Sequence, residues 1–343
     1  MKKAISILLL LAVAASLASC GGREKTEETT APSVIPHAER ETVTAGQKPN
    51  ESGIAASGKT EVFGWLLYND GALEITGAGT WNAEPAVLAY AENITKVIFA
   101  EGVSAIGKDS FAGYENLKEI VLPESLLVVE SRAFADCAIK SLSLGSNVAL
   151  IAPDAFDGCE ITDIKISKDN AYYSTDRYGV IFNKEKTELI MFSDGFKMNS
   201  YTVPATVEKI GEYAFLGNER LVTVELPDSL LEIGARAFAD CDNLRNINLP
   251  PLLTTIGASA FENDGSISKI EFPESVQIIG DNAFAGCTDL FEITVPQSVT
   301  TIGNGAFAET VEKVYYNGSK TAWTAVWVGE NAFANASVIF NEK

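Results

Sequence analysis

From about residue 91 to residue 340 the chain alternates short apolar bursts with polar turns, and the bursts recur. At the centre of most lies an apolar-x-apolar triplet: Val97/Phe99, Ile120/Leu122, Leu142/Leu144, Ile164/Ile166, Val224/Leu226, Ile247/Leu249, Ile270/Phe272, Ile293/Val295 and Val314/Tyr316. Period-two alternation predicts short strands with both apolar side chains inward. A phenylalanine, usually within Ala-Phe, marks each unit: Phe111, Phe134, Phe156, Phe215, Phe238, Phe261, Phe284, Phe307 and Phe333. The spacings are 23, 22, 59, 23, 23, 23, 23 and 26 residues. A fixed period in this range predicts a solenoid, whose units cannot bury their apolar sides alone and share one core by stacking.

The copy from Ala237 shows the unit in full: Ala237-Phe238, Cys241, Leu244, Ile247, Leu249-Pro250 and Ile256-Gly257. Proline after the strand (Pro123, Pro227, Pro250, Pro273, Pro296) has no N–H for a ladder and ends each strand at one place. The Ile-Gly pair (Ile106-Gly107, Ile210-Gly211, Ile233-Gly234, Ile256-Gly257, Ile279-Gly280, Ile302-Gly303) is expected to bury an aliphatic and then turn, with positive φ at glycine. Stacked coils should align the phenylalanines in a continuous internal column. Coil three departs, with Ile151-Ala152 and no proline after Ile166.

The 59-residue gap holds Tyr172-Tyr173, Gly179-Val180-Ile181-Phe182 and Leu189-Ile190-Met191-Phe192, with a turn-like Asn183-Lys184-Glu185-Lys186 between the last two runs. This predicts a β-hairpin inserted into one coil (about 168–200), before Tyr201-Thr202-Val203-Pro204 resumes the strand pattern. Tyr172, Tyr173, Arg177 and Tyr178 are candidate partner contacts there. The alternative is a ledge that packs its aromatics on the solenoid.

The pattern closely resembles the BspA-type leucine-rich repeat of bacterial cell-surface proteins, over roughly residues 91–340. Trp65 to Thr80, with Asn69-Asp70-Gly71 as a hairpin turn, looks like the β cap that often precedes such arrays; Val314 to Lys320 with Trp323 resembles the closing repeat. The fold expected is a β-rich leucine-rich repeat solenoid of about 23-residue coils with short parallel strands, an N-terminal β cap (60–90), repeats over 91–343 and one hairpin insertion. The resemblance implies adhesion; the repeats alone imply an interaction surface.

Residues 1–19 carry Lys2 and Lys3, an apolar run from Ala4 to Ala15 and then Leu17-Ala18-Ser19-Cys20. This reads as a signal peptide ending in a sequence that resembles a lipobox, with cleavage before Cys20 and diacylglycerol on its sulfur. An ordinary signal peptide with a chance cysteine is the alternative. Residues 20–59 then form a tether: from 21 to 59 there is no Phe, Tyr or Trp. Such a segment cannot bury enough apolar surface to order itself, and roughly forty residues give a reach of about 35 Å. The expected location is extracytoplasmic, lipid-anchored to the bacterial envelope and exposed at the surface.

The formal charge of −20 argues against nucleic acid and anionic lipid as electrostatic partners. The sole histidine, His37, falls in the tether, so histidine-based nucleophilic catalysis lacks a structured base. Cys137, Cys159, Cys241 and Cys287 each follow a repeat phenylalanine by three residues, a packing position. Tyr114, Asn218, Asp264 or Thr310 takes that place elsewhere. Adjacent coils would bring Cys137 and Cys159 within disulfide range, leaving a bridge or free thiols open. Metal-ligand spacing and phosphate cradles are absent. No enzyme activity, metal or cofactor is expected.

Between the inward residues of each triplet one side chain should face outward: Val121, Ser143, Lys165, Thr202, Glu225, Asn248, Glu271, Thr294, Tyr315. Lys165, Glu225, Asn248, Glu271 and Thr294 are the candidate partner contacts of this polar face. Tyr315 and Trp323, with Trp327, supply aromatics near the C-terminal end. The partners expected are proteins, of host matrix or neighbouring cells, met by a monomer. A structural or carbohydrate-attaching envelope role through the C-terminal aromatics is the second reading.

Overall fold

A computed structural model describes residues 53–193, 195–307, 311–333 and 336–341. The expected signal segment, Cys20, His37 and most of the tether lie outside the described residues, as does Thr310. The described chain is a β-solenoid of about 11 turns with little helix, a leucine-rich repeat fold.

Two columns of parallel strands run along it. The Ile-x-Leu triplets build the first: Lys96–Phe99 pairs with Glu119–Val121, Ser141–Leu144 with Asp163–Ile166, and Ser200–Thr202 with Thr223–Glu225 and then Asn246–Ile247. Glu292–Val295, Lys313–Tyr316 and Ser337–Phe340 complete it. The residues before each glycine build the second, through two-residue strands such as Lys209–Ile210, Glu232–Ile233 and Thr255–Ile256. At the N-terminal end Ile54–Lys59, Phe63–Tyr68 and Ala72–Gly77 run antiparallel. The last of them pairs in parallel with Lys96–Phe99, so the first coil stacks on a sheet instead of an open edge.

A third set of bonds runs beside the phenylalanines. The N–H groups of Arg236, Phe238 and Asp240 donate to Ala258, Ala260 and Glu262 O at 2.9, 2.8 and 2.8 Å. The outer two of the three donors have positive φ, Arg236 (φ 53) and Asp240 (φ 60). For L-residues such a conformation costs about 1–2 kcal/mol, offset by the extra ladder bonds.

The phenylalanine rings stack within this scaffold. Phe215–Phe238, Phe238–Phe261, Phe261–Phe284 and Phe284–Phe307 have centroids 4.7–5.2 Å apart and planes within 11°. Trp81, on the N-terminal sheet side, starts the column by stacking on Phe111. The long gap resolves into two coils. Phe192, which lacks the Ala-Phe signature, stacks on Phe215 at 5.0 Å and donates its N–H to Ala214 O. The 59 residues therefore divide as 36 (Phe156 to Phe192) plus 23 (Phe192 to Phe215), and the surplus of 36 − 23 = 13 residues sits in one coil.

That surplus forms Tyr173–Thr175, Ile181–Asn183 and Glu188–Met191, paired antiparallel in that order; the last then joins the second column beside Lys209–Ile210. The phenylalanine column is consequently not continuous as expected: among the described residues no ring contact joins Phe156 to Phe192. A void of about 30 Å³ lies between them, lined by Phe156, Cys159, Phe192 and Tyr213 among others.

The Ile-Gly glycines also differ from expectation. None of the six has positive φ. A Cβ on Gly257 would lie 2.6 Å from Ala235 N and 2.7 Å from Gly234 C, so glycine is required by close approach of successive backbones.

Candidate interaction surface

The four repeat cysteines are buried, and no bridge joins Cys137 to Cys159. Their Sγ atoms donate to Phe111, Phe134, Phe215 and Phe261 O at 3.0–3.1 Å, each reaching the phenylalanine carbonyl one coil back. Each thiol thus serves as a small apolar filler with one weak donor. The adjacent Cys159 sulfur and burial push the Cys137 thiol far above its ordinary range, which keeps it protonated and unreactive. Among the described residues no group of three or more His, Cys, Asp or Glu is arranged to hold a metal ion.

Asp264 occupies the cysteine position in its coil. It is fully buried; Oδ1 accepts the Cys241 N–H at 2.8 Å and Oδ2 has no partner. Burial, with the charges of Asp240 and Asp242 adding to it, raises its carboxyl to about 8. It lies under the surface and meets no solvent.

The strand face of the first column is where side chains meet solvent in a regular array. Lys165, Glu225, Asn248, Glu271 and Thr294 are all exposed there. Lys165 pairs with Asp163 at 2.7 Å, Glu271 with Lys269 at 2.5 Å, and Thr202 Oγ1 donates to Glu225 at 2.8 Å. The hydrogen bond and charge of Lys269 hold the Glu271 carboxyl below its usual range. Such exposed pairs are screened by solvent and contribute little stability, so their groups can exchange partners cheaply. Tyr315 is half-buried and sits in register between Thr294 and Ile339. Trp323 is also half-buried, its ring edge-on to Tyr316 at 4.9 Å, so it closes the core more than it faces outward.

The inserted segment reaches the same face. Its Asp176–Gly179 turn lies where the strands Asp163–Ile166 and Ser200–Thr202 fail to pair. Asp176 accepts from Tyr201 Oη at 2.8 Å, Tyr178 meets the Tyr201 ring at 6.2 Å, and a Cβ on Gly179 would lie 3.6 Å from Ile164 Cβ. Arg177 and Tyr178 are exposed on that turn, with the guanidinium over the tyrosine ring at 4.5 Å. Tyr172 is exposed as well.

Tyr173, one of the candidate partner contacts, is buried and packs on the solenoid as in the alternative ledge reading. It is 6% exposed, and its hydroxyl accepts the Ile151 N–H at 2.9 Å. There it supplies the bond that the next coil's backbone would make in an uninterrupted ladder. Burial pushes its hydroxyl up to about 12. Asn170 splices the insertion in a similar way, donating to Gly145 and Val148 O while accepting from Tyr172 and Tyr173 N–H.

Sequence reasoning missed Phe291. It stands 53% exposed one residue after the buried Leu290. Other coils carry Lys118, Lys140, Thr162, Arg245 or Ser268 at that place. An aromatic in a mostly polar column was the available signal.

The sequence profile of the "BspA type Leucine rich repeat region" matches residues 84–182 and 185–313, in six copies. No curated protein matches the chain. Among solved structures, a leucine rich cell surface protein from Faecalibacterium prausnitzii A2-165 is 21% identical, with a TM-score of 0.55 over 79% of this chain and 97% of its own. A leucine-rich repeat protein from Eubacterium ventriosum is 17% identical, TM-score 0.57, over 80% and 92%. The pneumococcal vaccine antigen PcpA is 16% identical, TM-score 0.62, over 85% and 95%. At these identities the likeness concerns the fold.

Proposed function

Because this chain belongs to the BspA-type leucine-rich repeat family, we propose that it is a surface-anchored protein-binding module, an adhesin without catalysis. The observation that carries the reading is the strand face: a run of exposed, weakly paired polar side chains from Lys165 to Thr294, with Arg177 and Tyr178 delivered onto it by the insertion. A rigid array of this kind offers many modest contacts in fixed register, which suits a broad protein surface better than a small molecule. The cell-surface relative from F. prausnitzii supports the location. Lipid attachment at Cys20 would hold many copies on one envelope, so weak single contacts would add through avidity. Among the described residues no helix is long and apolar enough to cross a membrane.

The test is binding of the purified protein to immobilised matrix proteins, mucins and intact bacterial cells, titrated with salt. Saturable binding should fall roughly tenfold or more in the double variant Glu225→Lys, Glu271→Lys, since misplaced interfacial charge costs several kcal/mol. Binding indifferent to both reversals moves the site off this face. No binding to any of these surfaces sinks the adhesin reading.

A further inference from the structure

The first strand column comes apart on both sides of one coil. At most joints of this face the residue after the buried Leu or Ile bonds to the coil before it, as Arg245 and Asn246 N–H do to Val222 O; among the described residues the joint between Lys118 and Lys140 lacks that bond too. Among the described residues, Ser268 and Lys269 make no such bond to Arg245, and Phe291 and Glu292 make none to Ser268. A single bridge between Glu271 and Thr294 joins this coil to the next strand. The opening is a cleft of about 760 Å³ whose outer lining includes Lys269, Glu271, Phe291, Glu292, Thr294 and Tyr315.

The lining has a definite chemistry. Phe291 is exposed just before the strand Glu292–Val295, and Tyr315 lies on the next strand opposite Thr294, so two separate aromatic faces are offered along the cleft. Glu271 and Glu292 stand beside it, and Thr294, on the strand of Glu292, is bridged to Glu271. Their lysine partners, Lys269 and Lys313, are exposed and bind at 2.5 Å each. The carboxylates are acceptors that can take two hydroxyl donors at once, and exposed ion pairs give them up at little cost.

We propose that this cleft is a binding site for a neutral or amino-sugar glycan. A pyranose carries an apolar C–H face and a rim of vicinal hydroxyls; Phe291 and Tyr315 match the face, Glu271, Glu292 and Thr294 the rim. The cleft is open, with Phe291 and Tyr315 at its rim and the buried Phe272 on its floor, a shape that receives a sugar ring rather than an apolar anchor enclosed on all sides. Anionic glycans are disfavoured by the two carboxylates and a chain charge of −20. The cleft shares Glu271 and Thr294 with the proposed protein-binding face, and Phe291, which lies outside the outward polar column, is the residue that tells the two readings apart.

The experiment is a printed array bearing chitotriose, lactose-terminated and mannose-terminated oligosaccharides beside sialylated and sulfated ones, probed with the full chain. Binding to at least one neutral or amino-sugar class is expected. Phe291→Ala should weaken it roughly tenfold, the worth of one aromatic contact, and Glu271→Gln should weaken it further. Phe291→Tyr should retain it, and Trp327→Ala, which removes an exposed aromatic outside the cleft, should leave it unchanged. Circular dichroism of the Phe291 variants should match the parent, as the side chain is outside the core. Absence of neutral-glycan binding, binding confined to anionic glycans, or binding unaffected by Phe291→Ala overturns the proposal. Loss of binding to protein surfaces in Phe291→Ala, with none to glycans, reassigns the cleft to the protein partner.

Discussion

A buried carboxyl in a column of thiols makes Asp264 the residue whose chemistry is most at odds with its place. Its neighbours in the column satisfy a carbonyl with an S–H, whereas an ionised carboxylate has nothing to donate. Burial raises its folded-state value to about 8, against roughly 3.9 in an unfolded chain. The folded protein therefore holds the proton more tightly, and stability falls as pH rises between those two values. The loss should be complete above pH 8 and absent below about 4, on the order of a few kcal/mol in all. Asp264→Asn removes the titration. Its melting temperature should exceed the parent's by on the order of 5 °C at pH 8, with the gap closing toward pH 5. A gap independent of pH would show that Asp264 titrates normally.

Between neighbouring coils, the decisive distance is backbone to backbone. Replacing glycine by alanine commonly stabilises a protein by about 0.4–1 kcal/mol through the unfolded state. At Gly257 φ presents no obstacle, yet the added methyl would press into the backbone of Gly234 and Ala235. Gly257→Ala should therefore destabilise, by roughly 1–3 kcal/mol as overpacking does, measured by urea unfolding; a neutral or stabilising result would mean the coils yield freely. The sequence makes the period, the inward triplets and the outward column legible because each coil repeats the same side-chain demands. Where one position answers two demands, the sequence is ambiguous. A positive-φ turn and a close backbone approach leave the same glycine in the sequence, and at residue 257 it is the approach that requires it. Phe192 escapes notice because its coil lacks the preceding alanine, and Tyr173 looks like a surface aromatic because its role depends on an Ile151 N–H one coil, 22 residues, earlier in sequence. The cleft beside Phe291 arises from missing ladder bonds, which no residue pattern announces.

At the scale of the whole array, stability should be the sum of coil and interface contributions, so the weakest interface decides how the molecule opens. That interface is the insertion. Among the described residues no backbone–backbone hydrogen bond joins residues 139–166 to residues 173–203. What crosses is side-chain chemistry, chiefly Tyr173 Oη to Ile151 N–H and Ser193 Oγ to Cys159 O at 3.5 Å, with the Gly195 backbone pressed against Ile161. Ring stacking stops at Phe156 and restarts at Phe192. Deep in the second block, Phe238 is held between Phe215 and Phe261 at 4.7 and 5.2 Å. Phe238→Ala should cost about 3–5 kcal/mol, and the cost should stay on its own side of the seam. Amide hydrogen exchange in mild denaturant reads this directly. Protection of residues 189–316 should fall by that amount while residues 63–156 keep theirs, because the first block retains its sheet at one end and its own stacked rings. Equal loss in both blocks would mean that Tyr173 and the packing at Gly195 couple the halves as tightly as a continuous ladder does, and the array would then open as one unit.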